Sequence, residues 1–229
     1  MDTLSARLAR IWDRIAAAAE RAGRSPDSVR LVAVTKGIPA AAVRDAMALS
    51  IREFGESRVQ EAERKIAEVG EGARWHLVGH LQTNKIARAV QIFEEIHSVD
   101  SERVALELAR RAGDLGRSPR CYVEVNTSGD PGKFGVEPSA AVGLLGLIRA
   151  RPPLRPAGFM AIGPLSGGAA GARASFRALA TLREESLRAG VPEGECGLSM
   201  GMSDDFEIAI EEGATVVRIG TALWGDRLT

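Results

Sequence analysis

"CGLSMGMSDDFEIAIEEGATVVRIG", residues 196–220, opens and closes on short runs of small and aliphatic residues, 196–201 and 215–220, each fringed by glycine. Such runs read as strands. Between them Phe206, Ile208 and Ile210 follow the acidic pair Asp204 and Asp205 with a helical apolar pattern. Strand, helix and strand in that order form one parallel βα unit.

Worked outward from this unit, the same alternation covers the chain from residue 30 onward. Six further candidate strands are "RLVAVTK" (30–36), "IREFG" (51–55), "RWHLVGH" (74–80), "EEIHSVD" (94–100), "CYVEVNT" (121–127) and "AGFMAIG" (157–163). Amphipathic segments separate them, among them 101–112, which starts on the good N-cap Ser101, and 172–189. Eight repeats predict an α/β fold, a single closed (β/α)8 TIM barrel. Residues 1–24 stand outside the repeats. Leu4, Leu8, Ile11 and Ile15 give them one apolar stripe, predicting an additional N-terminal helix packed on the barrel, with 1–229 as one domain. The competing architecture, an open doubly wound sheet, needs a switch point and usually a Gly-rich first turn, and "TKGIPA" (35–40) is not one. "GPLSGGAAG" (163–171) reads as a flexible loop after the sixth strand.

With 45% hydrophobic residues in 229, the chain can bury a sizeable core. Thirty basic and thirty acidic residues cancel, so no overall field favours a nucleic-acid backbone or an anionic membrane. Cys121 and Cys196 sit far apart in apolar runs, without zinc-site or disulfide-framework spacing, as packed thiols in a reducing compartment do. The Arg- and Ala-rich start resembles a transit peptide in composition, but Asp2, Asp13 and Glu20 argue for a surface helix. No run reaches the roughly 18 apolar residues of a membrane span. A cytoplasmic monomer is the expectation.

In a barrel, residues closing each strand line the active face. Lys36 is one, and alternation puts it on the face of Val32 and Val34, pointing into the barrel mouth. Partial desolvation there would disfavour the charged ammonium and free the amine to attack a carbonyl. After the seventh strand Ser203 reads as the N-cap of the next helix, whose first amides can bind an anion. After the eighth, Gly220 and Thr221 form a turn whose backbone can approach a ligand closely. Loops after strands seven and eight are the usual phosphate address in barrels. Arg218 shares its face with Val216 and Gly220 and needs a partner, either a carboxylate such as Glu124 or a ring nitrogen or phosphate of a cofactor. An amine facing an anion cradle describes a site for a phosphorylated aldehyde such as pyridoxal 5′-phosphate. His76 and His80 share a strand face but lack a third metal ligand, and Lys133 reads as a solvated loop lysine.

The stretches "AVTKG" (33–37), "FGESRVQEA" (54–62), "WHLVGHLQTNK" (75–85), "HSVDS" (97–101), "VNTSGDPGKFGV" (125–136), "GFMAIGP" (158–164) and 198–225 follow one another in an order that resembles the pyridoxal phosphate homeostasis protein family over nearly the whole chain. The resemblance implies a barrel like the N-terminal domain of alanine racemase, with pyridoxal 5′-phosphate held as a Schiff base on Lys36. It implies phosphate contacts at Ser203, Gly220 and Thr221, Arg218 facing the pyridine nitrogen, and Met200 and Ser57 completing the cofactor-binding set. Ser57 stands where the family pattern has asparagine, and a hydroxyl replaces an amide's separate donor and acceptor with a shorter reach. The function implied is that of a carrier or buffer of the cofactor in vitamin B6 homeostasis, with apo-enzymes as recipients and no established reaction. A racemase-like activity and a class I Schiff-base aldolase are the enzymatic alternatives. The single tyrosine, Tyr122, sits near the start of its strand, away from the active face, so Lys36 has no evident opposing acid.

Overall fold

The computed structural model describes residues 2–130, 132–164 and 166–225. Eight parallel strands close into a barrel in sequence order: β1 (Arg30–Val34), β2 (Glu53–Glu56), β3 (Arg74–Leu77), β4 (Glu95–Val99), β5 (Arg120–Glu124), β6 (Arg155–Met160), β7 (Gly197–Ser199) and β8 (Val216–Ile219). All eight expected strands form. Seven end before the expected boundary, since the residues beyond leave the ladder for the loops of the carboxy-terminal mouth. Lys36 thus lies two residues past the end of β1, in a turn with Gly37.

The helices of the outer ring are α2 (Ala40–Ala48), α3 (Val59–Val69), α4 (Ile86–Ile92), α5 (Glu102–Asp114), α6 (Pro138–Arg149), α7 (Gly168–Arg188), α8 (Phe206–Glu211) and α9 (Thr221–Trp224). Ser101 caps α5 as expected, accepting the Val104 N–H at 3.3 Å. Helix α7 starts four residues earlier than the pattern predicts, so the end of the expected 163–171 loop is helical; position 165 lies outside the described residues.

The extra helix, α1 (Leu4–Arg21), is capped by Thr3 and buries Leu8, Ile11, Ile15, Ala18 and Ala19 against α8 and α9. Each large aliphatic side chain so buried is worth about 1.5–3 kcal/mol. Arg14 forks onto Glu207 at 3.1 and 2.8 Å, and Arg24 donates to the carbonyls of Ile210 and Ala214. The helix is therefore a clamp on the outside of the last two βα units, which carry the anion turns.

Strand alternation divides the core into two chemistries. Outward residues such as Leu31, Phe54, Leu77, Ile96, Val123, Phe159 and Val217 join the helices in one apolar layer. Inside the barrel the apolar cluster is small: Val32, Tyr122, Ala157, Met160 and Val216. Buried polar side chains share the interior, among them Glu53, His76, Glu95, His97, Glu124, Ser199 and Arg218. Where β6 and β7 touch, a Cβ on Gly158 (φ +118°) would lie 1.9 Å from the Gly197 carbonyl oxygen, so only glycine permits that approach.

Candidate functional site

Lys36 is carried past β1 by a turn held from below. Thr35, on the outward face, donates its hydroxyl to Glu56 at 2.6 Å. Lys65 of α3, itself buried, donates to Glu56 and to the Thr35 carbonyl, and Glu61 accepts the Gly37 N–H at 2.7 Å. The backbone on both sides of Lys36 is thus anchored by a buried ionic knot while its own side chain is left free. The expectation of a partly desolvated amine is corrected here: Lys36 is exposed, because the strand ends at Val34 and the chain has already turned outward. Its direction holds, since Val34, Lys36, Ile38, Gly220, Thr221 and Trp224 line one small cavity. Trp224 closes its wall by donating its indole N–H to the Val34 carbonyl at 2.7 Å.

Ser203 is not an N-cap. Asp205 occupies the cap position of α8, and its carboxylate accepts the Met202 N–H at 2.6 Å. Gly201, at φ +90°, turns the chain so tightly that a Cβ there would meet Ala209 Cβ at 2.6 Å. That turn aims Ser203 across to the neighbouring loop, where its hydroxyl accepts the Ala222 N–H at 3.1 Å. The loops after β7 and β8 are therefore one unit. The amides of Gly220 and Thr221 find no protein acceptor among the described residues, which leaves two N–H donors and the Thr221 hydroxyl at the rim of the Lys36 cavity.

Arg218 is 3% exposed, and carbonyls and a hydroxyl, not the Glu124 carboxylate, are its protein partners. It donates to the Ser199 carbonyl (2.6 Å), the Ser199 hydroxyl (2.8 Å) and the Ala161 carbonyl (2.9 Å). Burial pushes its pKa down to about 10, against the pull of Glu124 and Asp205. Glu124 makes no ion pair with it among the described residues, and one carboxylate oxygen of Glu124 is buried without a partner. Burial, with the charge of Asp100, raises the Glu124 carboxyl to about 7. Met200 is fully buried in the apolar layer between the barrel and its helices, on the face opposite inward Ser199. Ser57 is not brought to the Lys36 cavity; it lines a separate one with His80, Gln82 and Lys85. Lys133 is half-buried, not solvated, and donates to the Gly163 carbonyl at 3.0 Å.

The two histidines paired by sequence lie apart. His80 bonds Asp100 and stacks on Phe134, whereas His76 faces His97 inside the barrel. His76, Glu95 and His97 do bring ligating atoms within 4.8 Å of one another, yet Glu95 is already forked by Arg30 at 2.8 and 2.7 Å. Burial drives the His97 pKa down to about 3 and lowers that of His76. Against burial, which would raise it, the imidazoles beside Glu95 and the Arg30 guanidinium forked onto it hold its carboxyl well below the carboxylate range. Two neutral imidazoles then fix one line of hydrogen bonds. Arg218 can only donate and Glu53 only accept. Arg218 donates to Ser199, Ser199 to His97 (2.8 Å), His97 to His76 (3.2 Å), and His76 to Glu53 (2.6 Å). Alternation on β4 signalled the inward pairing of Glu95 and His97, but the line across five strands depends on barrel register.

The model of the alanine racemase N-terminal domain family matches residues 6–228. The pyridoxal phosphate homeostasis protein of Pseudomonas aeruginosa is 43% identical over 229 residues, covering 99% of this chain and 97% of that one. Among solved structures, PipY of Synechococcus elongatus PCC7942 without PLP is 43% identical and superposes with a TM-score of 0.83, over 94% of this chain and 100% of that one. Its form with PLP bound gives 42% identity and a TM-score of 0.82 over the same shares. Alanine racemase of Clostridium difficile 630 shares the fold, with a TM-score of 0.76 at 14% identity over 100% of this chain and 58% of that one. Similar along its length to proteins of one name, and spanning essentially all of theirs, the chain belongs to the alanine racemase N-terminal domain family and, within it, to the pyridoxal phosphate homeostasis proteins.

Proposed function

We propose that this protein binds pyridoxal 5′-phosphate at the carboxy-terminal mouth of its barrel and carries or buffers it in vitamin B6 homeostasis. The observation that carries the reading is the Ser203 to Ala222 hydrogen bond, which joins the two anion turns beside the Lys36 cavity. The donor set fits the cofactor: an exposed primary amine, free amides and a hydroxyl for a phosphate, and a buried guanidinium below. The structure of the relative PipY with PLP bound supports it.

When bound, pyridoxal phosphate supplies an aldehyde that condenses with amines and a pyridine ring that withdraws electrons. Lys36 is the amine for the covalent link, and the Glu56, Lys65 and Glu61 knot holds its backbone in place. Gly220, Thr221 and Ser203 would hold the phosphate, and Arg218 would serve the ring nitrogen from below. Met200 would support the site from the apolar layer behind β7, and Ser57, which lines a separate cavity, would reach the ring only through water.

Two features favour a carrier over a racemase or an aldolase. Tyr122 is 1% exposed inside the barrel, bonded to Arg30 at 3.3 Å, so it offers Lys36 no opposing acid. A guanidinium locked by three hydrogen bonds disfavours a proton on the ring nitrogen, which weakens the electron sink that racemisation needs. Recipients would be apo-enzymes that use the cofactor, served by a monomer in the cytoplasm. The test is visible absorbance of purified protein. A band near that of a lysine-linked cofactor, lost in Lys36→Ala with little change in Tm, is expected; a colourless protein that borohydride traps only with a sugar phosphate would assign an aldolase.

A further inference from the structure

A concavity of about 430 Å3 lies at the other end of the barrel from the candidate site, at the amino-terminal mouth. Its size is that of a small-molecule site. Five arginines face it, Arg30, Arg74, Arg117, Arg120 and Arg155, against three glutamates, so the wall carries excess positive charge. The arginines are not equivalent. Arg30 is forked onto Glu95 and Arg74 is bonded to Glu53, both buried acids. Arg120 reaches Glu95 only at 3.5 Å and the Gly194 carbonyl at 3.4 Å. Arg117 and Arg155 are exposed, with no acidic partner among the described residues. Two free guanidinium forks and a third held loosely around a polar hollow match a phosphate group, whose oxygens accept paired N–H bonds.

The same hollow reaches the start of the hydrogen-bonded line along the barrel axis. His76 is 1% exposed yet lines the cavity, as do Glu53 and Glu95. From Glu53 each link is a hydrogen bond between buried side chains, ending on Arg218 beneath the opposite mouth. An anion drawing on Arg74 or Arg120 would change the field on Glu53 and Glu95, the acceptors that set where those protons sit.

We propose that the amino-terminal cavity is a regulatory site for a small phosphate-bearing anion, free or esterified, and that its occupancy is felt at Arg218 through the His76, His97 and Ser199 line. The second half rests on the cofactor reading given above; the first does not. The experiment uses the full chain without cofactor, observed by backbone amide NMR, and titrates inorganic phosphate and glycerol 3-phosphate in parallel.

Saturable shifts of Gly116, Arg117 and Ser118 are expected, weakened at least tenfold in the double variant Arg117→Gln, Arg155→Gln. Both side chains are exposed, so that variant should keep its spectrum elsewhere. The tighter of the two probes names the source, ester or free phosphate. Shifts confined to Ser203 and the 220–222 turn, or absent at 20-fold excess over protein, overturn the site. With pyridoxal phosphate loaded, saturating the cavity should change the half-saturating cofactor concentration at least threefold, an effect reduced in Ser199→Ala. Amino-terminal shifts without that change overturn the coupling, and a protein that never takes up the cofactor overturns the earlier reading while leaving the NMR result to stand.

Discussion

The two mouths of this barrel are built on opposite terms. At the amino-terminal end, side-chain charges meet in short contacts on buried acids: Arg30 with Glu95, Arg74 with Glu53, His76 with Glu53. At the carboxy-terminal end the groups without a partner among the described residues lie at strand ends and turns: exposed Lys36, the amides of Gly220 and Thr221, one oxygen of Glu124. Satisfied groups rigidify a fold and unsatisfied ones are available to a ligand. The division puts the locked acids at one end and the cofactor groups at the other, in keeping with the general habit of barrels, while the outer arginines of the amino-terminal mouth stay outside the lock.

That contrast breaks most visibly at Glu95. Glu95→Ala leaves the half-buried Arg30 guanidinium without its fork and should cost about 1–3 kcal/mol, read by chemical denaturation at pH 7, while the uptake of cofactor at saturation is kept. A loss below about 1 kcal/mol would mean that the amino-terminal mouth is not locked by charge.

Acid probes the same end. His97 has a folded pKa of about 3 against an ordinary 6.5, so the unfolded chain binds the extra proton first. Stability should therefore fall as pH drops from 6.5 towards 3, by about 3 kcal/mol from this group, with a shallower slope in His97→Phe. A flat profile in the native protein would contradict a neutral imidazole pair.

Glu124 at the binding end carries the reverse sign. Its folded pKa, near 7, stands above an ordinary 4.5, so the folded state holds the proton longer and stability from this group declines as pH rises between those values. Glu124→Gln should stabilise the protein at pH 8 by about 2 kcal/mol and leave pH 4 unchanged; a destabilised variant would show that the carboxylate has a partner. The smallest effect concerns Ser203→Ala. Losing one half-exposed acceptor should cost about 1 kcal/mol or less, yet weaken retention of pyridoxal phosphate roughly tenfold, since the two turns would no longer move as one.

How much of this was legible in the sequence follows the same division. The strands were, because each needs only its own apolar run, and the inward direction of Lys36 followed from alternation with Val32 and Val34. Ser203 was misread because capping is a local inference, whereas its real partner, Ala222, sits 19 residues away on the next loop. Arg218 was expected to seek a carboxylate, but main-chain carbonyls hold it, and carbonyls leave no mark in composition. The axis of Glu53, His76, His97 and Ser199 depends on how four strands are staggered, which no single run encodes.

The bond from the Trp224 indole to the Val34 carbonyl has a consequence for synthesis. The lysine emerges from the ribosome long before Trp224, which completes its cavity, and before the turns at 203 and 220 that would grip a phosphate. A nascent chain cannot close the site until residues 203–224 have been made, and chains cut short before Trp224 should yield barrels that never colour.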